Sequence, residues 1–142
     1  MKALCWRAGL ALLLLAGCHR AGPRAAGPLP HEAYIWQRVW TPPVVQAVAQ
    51  ARGELAGLVP LAAEVTWHGG VPSVTRSAVR YEALAGAGRP VGLALRIGPF
   101  PGPFRAEDET ARSLCTLARS VLADARAHGV EPAELQIGRA HV

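Results

Sequence analysis

The spacing of apolar residues along the chain predicts a mixed α/β domain that begins near residue 31. Residues 34–40 and 59–67 are rich in aromatic and β-branched side chains, which is typical of β-strands. Residues 91–97 alternate large aliphatic side chains with small ones and predict a third strand. A fourth strand is predicted to open at Leu135.

Three helices are predicted between these strands. Thr41, followed by two prolines, is a suitable helix start, and Gly53 is a suitable stop. A loop over residues 68–73 is predicted to lead to a short helix at about residues 78–85. The clearest helix spans residues 107 to about 128, because its apolar residues recur at i, i+3, i+4 and i+7.

Alternating strands and helices in short order predict four parallel β/α units with right-handed crossovers. Such units fit either an open nucleotide-binding sheet or half of an eightfold barrel. The first strand-to-helix turn, residues 40–43, contains no glycine, and the pair Gly86 and Gly88 precedes a strand instead of following one. The sequence therefore predicts the N-terminal half of a TIM-like (β/α)8 barrel.

A short apolar run near the start of the chain predicts export. Residues 9–16 follow Lys2 and Arg7, and this run is far shorter than the roughly 20 apolar residues of a membrane span. The sequence Leu15-Ala16-Gly17-Cys18 resembles the lipobox of bacterial lipoproteins. That resemblance implies cleavage before Cys18, acylation of Cys18 and, because His19 is not Asp, an outer-membrane lipoprotein that faces the periplasm. An ordinary cleaved signal with Cys18 as a bystander is the alternative.

These features divide the chain into four parts. Residues 1–17 are predicted to be a signal peptide, residues 18–30 a lipidated Cys and flexible tether, residues 31–136 the partial barrel domain, and residues 137–142 a non-native tail.

Charge and cysteine content exclude some functions. The formal net charge is +5, but from His31 onward 11 arginines face 10 acids, which leaves +1, so no nucleic-acid partner is predicted. Cys115 would be the only cysteine in the domain, which rules out an internal disulfide, and its apolar helical setting predicts burial. No metal or other cofactor is predicted, because His31, His68 and His128 lack ligand spacing.

Strand alternation predicts that each strand presents one polar side chain to the barrel interior. In the second strand, residues 62, 64 and 66 should lie opposite residues 61, 63 and 65. The predicted interior set is Arg38, Glu64, Arg96 and Gln136, with Trp36 beside them.

This set has two interpretations. In a ligand pocket, Glu64 is a weak catalytic candidate, Arg38 and Arg96 bind an anion, and Trp36 stacks on a sugar or aromatic group. In a structural role, an Arg-Glu-Arg network neutralises itself inside the barrel. A glycosidase needs two carboxylates, and only Glu64 is well placed, so enzymatic activity stays open.

Residues 31–136 resemble a bacterial family of uncharacterised envelope proteins, domain of unknown function 3142. The resemblance rests on residues 31–40, which include Tyr34-Ile35-Trp36-Gln37-Arg38-Val39-Trp40, on residues 61–65 and on residues 89–91. It implies a barrel-like α/β domain related to glycoside hydrolases, with no established activity.

The chain departs from that family after Gln136. The family continues into an acidic Asp-x-Asp segment, whereas residues 137–142 read Ile-Gly-Arg-Ala-His-Val, the translation of a common sequencing-library adapter. We therefore expect residues 137–142 to be non-native and the domain to be part of a longer barrel. Its open strand edge should then promote self-association.

The sequence as a whole predicts a lipid-anchored cell-envelope protein whose barrel domain binds or acts on a carbohydrate or a small anionic ligand. The alternative is a non-catalytic binding or structural protein of the envelope.

Overall fold

The computed structural model describes residues 30–100 and 102–139, which form a mixed α/β fold. The predicted signal peptide, Cys18 and nearly all of the tether lie outside these described residues. The strands are β1 (Glu32–Ile35), β2 (Gly57–His68), β3 (Val71–Arg76), β4 (Gly92–Ile97) and β5 (Glu134–Arg139). The helices are α1 (Pro42–Gln50), α2 (Tyr81–Ala85) and α3 (Glu109–Ala127), and a short 3-10 helix (Ala51–Gly53) follows α1.

Four of the strands form a parallel sheet in the order β1-β2-β4-β5. β1 pairs with the first residues of β2, and β4 lies between β2 and β5. Within the described residues β1 and β5 do not pair, so this sheet is open. The prediction of parallel strands alternating with helices is confirmed at this level.

The main hydrophobic core lies between the sheet and its helices. Leu93 and Leu95 of β4 are completely buried, and Val48 of α1, Leu84 of α2 and Val121 of α3 belong to the same cluster. Burying an aliphatic side chain of this size contributes about 1.5–3 kcal/mol. The core therefore holds the helices on one face of the sheet.

The ends of the two longer helices follow from local sequence. Thr41 is the N-cap residue of α1 as predicted, with prolines in the first turn, although its hydroxyl makes no capping hydrogen bond. In α3 the N-cap residue is Asp108, and Glu109 and Arg126 have the charges that favour the first and last turns. Gly129, with φ of 76°, follows the C-terminus of α3 in the left-handed region where glycine is favoured.

The predicted loop over residues 68–73 was wrong, because this part of the chain forms a β-hairpin. β3 runs antiparallel to β2 and pairs with Ala63–His68, and the turn is Gly69-Gly70. Both glycines have positive φ, 58° and 83°, as tight hairpin turns require. Every residue of β3 is exposed, so this strand carries no buried hydrophobic alternation that the sequence could have revealed.

A β-bulge in β2 corrects the predicted face of Leu61. Leu61 pairs with Ala94 and Ala63 pairs with Leu95, so two steps along β2 match one step along β4 and Ala62 is the extra residue. Alternation therefore changes phase at Ala62. Leu61 shares a face with Glu64 instead of lying opposite it.

Two further predictions need correction. The first strand ends at Ile35, so Arg38 lies in the segment after β1, and Val39 forms an isolated bridge with Ala78. Cys115 is exposed, not buried. It lies two residues before the buried Leu117, which places the two side chains about 200° apart around α3.

Candidate ligand-binding site

The sheet face that points away from the helices contains the predicted site residues. We call it the inner face, and pairing between strands assigns to it Tyr34, Val59, Leu61, Glu64, Ala94, Arg96 and Gln136. The Tyr34 hydroxyl of β1 donates a hydrogen bond to Gln136 Oε1 of β5, across the two strands between them. In a flat sheet β1 and β5 would lie about 14 Å apart, three strand spacings. Because the two side chains meet, the sheet must curl toward this face.

An apolar patch forms the floor beneath that contact. Val59, Leu61 and Ala94 make a second hydrophobic cluster, separate from the main core, and each is at least 97% buried. The bulge at Ala62 places Leu61 in this cluster. The inner face therefore has an apolar part. Its charged residues lie next to this part, nearer the carboxyl ends of the strands.

Three charged side chains meet on this face, as the sequence predicted. Glu64 is the only charged residue among the buried residues described, and its Oε2 accepts a hydrogen bond from Arg38 Nη2 at 2.7 Å. Arg96 Nη1 lies 3.9 Å from Glu64 Oε1, which is an ion pair without a hydrogen bond. The two arginine side chains are 55% and 44% exposed. We call these three residues the ion cluster.

The backbone fixes each member of the ion cluster. Glu64 and Arg96 are direct partners in the β2–β4 ladder, so their side chains leave the same face next to each other. Arg38 lies outside a regular strand, but its carbonyl oxygen accepts a 2.7 Å hydrogen bond from the Ala78 amide. That bond holds the segment after β1 close enough for Arg38 to reach Glu64.

Trp36 lies on the same side and has an aromatic neighbour, Tyr34, that was not among the predicted site residues. The rings of Tyr34 and Trp36 are nearly parallel, with an interplanar angle of 4° and centroids 5.4 Å apart. Both are about half exposed. The spacing Tyr-x-Trp is the signal that could have identified this pair, because residues two apart in an extended segment share a face.

A cavity of about 330 Å³ lies beside Trp36 and Arg96 and is also lined by Gly138 and Arg139, which belong to the tail that the sequence predicts to be non-native. This volume falls within the range of about 300–1,000 Å³ that is common for small-molecule sites. Gln136 does not line it; its side chain instead contacts Tyr34 and Glu134. Of the five predicted ligand-binding residues, only Trp36 and Arg96 line this cavity. Glu64 contacts Arg96 and Arg38 outside the lining, and Gln136 accepts the hydrogen bond from Tyr34.

Glycosidase chemistry needs a second carboxylate near Glu64, and the other acids of this face lie far away. Glu134 pairs with Gly92 of β4. Gly92 is four residues from Arg96, which is a distance of about 13 Å along the strand. Glu32 pairs with Gly57, near the opposite end of β2. Glycosidase carboxylates lie about 5–9.5 Å apart. The described residues therefore place one carboxylate at the site, engaged by two arginines.

A separate polar cluster joins α2 to α3 on the helical side. The Tyr81 hydroxyl donates to Asp124 Oδ2 at 3.3 Å, and the Tyr81 ring stacks on His128 at 5.1 Å. Burial, together with the nearby Asp124 carboxylate, raises the pKa of Tyr81 to about 12. No sequence signal marks this cluster, because its members come from distant positions in the chain.

A larger cavity, of about 660 Å³, lies between α1 and α2, away from the ion cluster. Its lining includes Trp40, whose indole N–H is buried without a hydrogen-bond partner. No group of three His, Cys, Asp or Glu side chains that could hold a metal occurs in residues 30–100 or 102–139. No helix in that part of the chain has the length and apolar character needed to cross a bilayer.

Comparisons with protein-family models, with curated proteins and with solved structures found no match to this chain.

Proposed function

We propose that this chain is an outer-membrane lipoprotein that faces the periplasm and carries the first half of a TIM-like barrel. The location is supported by the lipobox-like Leu15-Ala16-Gly17-Cys18, which follows a basic start and a short apolar run. The barrel is supported by four parallel strands that curl toward an inner face. Its relation to domain of unknown function 3142 is part of the same proposal.

The location can be tested with Cys18→Ser in a bacterial host that is fed a labelled fatty acid. The unchanged chain should incorporate label and sediment with membranes, because two or more acyl chains anchor a protein stably. Cys18→Ser should lose both properties, whereas Cys5→Ser should keep them. Incorporation of label by Cys18→Ser would overturn the assignment.

The biochemical function that we propose is binding of a carbohydrate at the inner face. A single observation carries this proposal: the half-exposed Tyr34–Trp36 pair lies beside a small cavity and a set of charged hydrogen-bonding groups. A sugar ring presents apolar C–H groups on one face and hydroxyls at its rim, so it pairs well with an aromatic surface that has polar neighbours.

Trp36→Ala tests this function, with Phe104→Ala as the matched control. Phe104 is 47% exposed, close to the 50% of Trp36, but it packs near Trp67 and does not line the cavity. In calorimetric titrations with mono- and disaccharides, Trp36→Ala should weaken binding by ~10-fold or more, since loss of one stacking partner costs about 1–3 kcal/mol. Equal affinities of both variants would contradict carbohydrate binding at this face.

A structural role for the ion cluster is the second candidate, and the mutual engagement of Glu64 with two arginines favours it. In that case Glu64→Gln changes stability, and no saccharide binds. A glycoside hydrolase is the third candidate, and it requires a further carboxylate within reach of Glu64.

A further inference from the structure

We infer that Arg96 selects a ligand with a carboxylate, so that the sugar bound at the inner face is an acidic one. This inference rests on the proposed carbohydrate binding and adds to it the chemical class of the ligand.

The two arginines of the ion cluster differ in how far their donors are used. Arg38 donates to Glu64 at 2.7 Å, a short charge-assisted hydrogen bond. Arg96 approaches Glu64 only to 3.9 Å, and no hydrogen bond joins its guanidinium to another residue in the described ranges. A guanidinium has five N–H donors in a planar fork, and with the Arg96 side chain 44% exposed its donors are accessible to water or to a ligand. Within the ion cluster, Arg96 is thus the residue whose N–H donors can bind a ligand.

The position of Arg96 decides where those donors point. More than half of its side chain is buried, and it lines the same cavity as Trp36. A ring stacked on Trp36 would therefore place its substituents near the guanidinium. Arg38 does not line this cavity, and we assign it a positioning role: it holds Glu64, which in turn orients Arg96.

The Glu64 carboxylate favours a singly charged ligand group. The ion cluster has a net charge of +1 and Arg139 adds a second positive charge at the cavity, so an anion is favoured. A carboxylate matches the guanidinium fork with two parallel hydrogen bonds. A phosphate dianion would bring a second negative charge close to Glu64.

The experiment uses the full chain and two pairs of sugars that differ in one group: galacturonic acid with galactose, and glucuronic acid with glucose. Affinities are measured by calorimetry at fixed ionic strength. Each acidic sugar should bind at least ~10-fold more tightly than its neutral partner, as expected for a charge-assisted bidentate pair. Galactose 6-phosphate serves as the dianionic competitor and should bind less tightly than galacturonic acid.

Variants assign the selectivity to a residue. Arg96→Gln should reduce affinity for the acids to that for the neutral sugars while leaving the neutral affinities within about twofold, because only the charged contact is lost. Arg96→Lys should keep part of the preference, since Lys retains charge without the fork. Arg119→Gln is the control, because Arg119 is an exposed arginine of α3 that does not line the cavity, and it should leave the preference in place.

The outcomes separate this inference from the proposed function. Equal binding of acidic and neutral sugars, still lost in Trp36→Ala, would overturn the carboxylate inference and leave carbohydrate binding intact. A preference that survives Arg96→Gln, that disappears in Arg119→Gln, or that favours the phosphate would also overturn it. Failure of every sugar to bind would refute the proposed function itself.

Discussion

Glu64 combines two features that are seldom found together, burial and ion pairing with arginines that are themselves half exposed. Removal of a fully buried pair member costs about 3–5 kcal/mol, because its partner is left charged and unpaired. Here Arg38 and Arg96 can recover part of that energy from water. The cluster should therefore contribute to stability less than a buried pair and more than a surface pair.

Replacing Glu64 with Gln should lower the free energy of unfolding by about 1–3 kcal/mol, because the Arg38 hydrogen bond loses its charged acceptor. Urea denaturation measures the change. Glu131→Gln is the matched control: Glu131 accepts from Arg126 at a similar distance, 2.9 Å, but both side chains are mostly exposed. Its midpoint should stay at that of the unchanged chain, and equal losses in the two variants would contradict the special position of Glu64.

Tyr81 provides a prediction that depends on pH. Burial and Asp124 raise its pKa to about 12, above the ordinary value of 10.0, so the folded state holds this proton more tightly than the unfolded state. The stability that arises from this difference is complete below pH 10 and is lost as the pH rises toward about 12.

Tyr81→Phe should remove the component of the tyrosinate absorbance titration that has its midpoint near 12. The same variant should flatten the fall in the denaturation midpoint above pH 10, because no phenol remains to ionise there. A titration curve unchanged by the substitution would disprove the assignment to Tyr81.

Among the secondary-structure elements, those with buried periodicity were predictable from sequence and those without it were not. β4 and α3 carry apolar residues at periods of 2 and about 3.6, and both were predicted within two residues of their ends. β3 packs nothing into the core and was missed. Alternation correctly placed Glu64 and Arg96 on one face, whereas Arg38 lies beyond the end of β1 and reaches them from the segment held by Ala78. The bulge at Ala62 adds a residue that no propensity marks, so alternation placed Leu61 on the wrong face.

The turn between β2 and β3 provides a testable prediction about secondary structure. Gly70→Val should destabilise the protein by about 1–2 kcal/mol, because a β-branched residue is strained at the φ of 83° found there. Gly70→Asn should cost less, since Asn tolerates this conformation. A Cβ at position 70 would meet no atom within 4 Å, so crowding does not contribute. Hydrogen exchange of the β3 amides, compared between the two variants, measures the effect; equal protection would argue against a backbone origin.

For the molecule as a whole, the decisive feature is the difference between its two sheet faces. Helices cover one face of the sheet. Over the inner face, the Tyr34 side chain of β1 contacts the Gln136 side chain of β5. β5 pairs only with β4 among the described strands, and Ile137 on it is 60% exposed. Exposed strand edges of this kind promote pairing between chains.

Self-association through β5 should therefore be measurable by sedimentation velocity as an average mass that rises with concentration. Ile137→Lys should shift the distribution toward monomer, because a lysine on an edge strand opposes pairing. Val71→Lys on β3 is the matched control, since Val71 is 67% exposed and lies on another strand. A strictly monomeric chain at all concentrations, or an equal effect of both variants, would refute association through this edge.

The extra residue at Ala62 has a consequence for how relatives of this chain should be recognised. Deleting that one residue would restore one-to-one pairing between β2 and β4 and leave Glu64 on the inner face, two positions after Leu61 instead of three. A homologue without the insertion must therefore carry its acid one position nearer to the residue that matches Leu61. An alignment that forbids a gap at Ala62 would then align the acid of one protein with an aliphatic residue of the other.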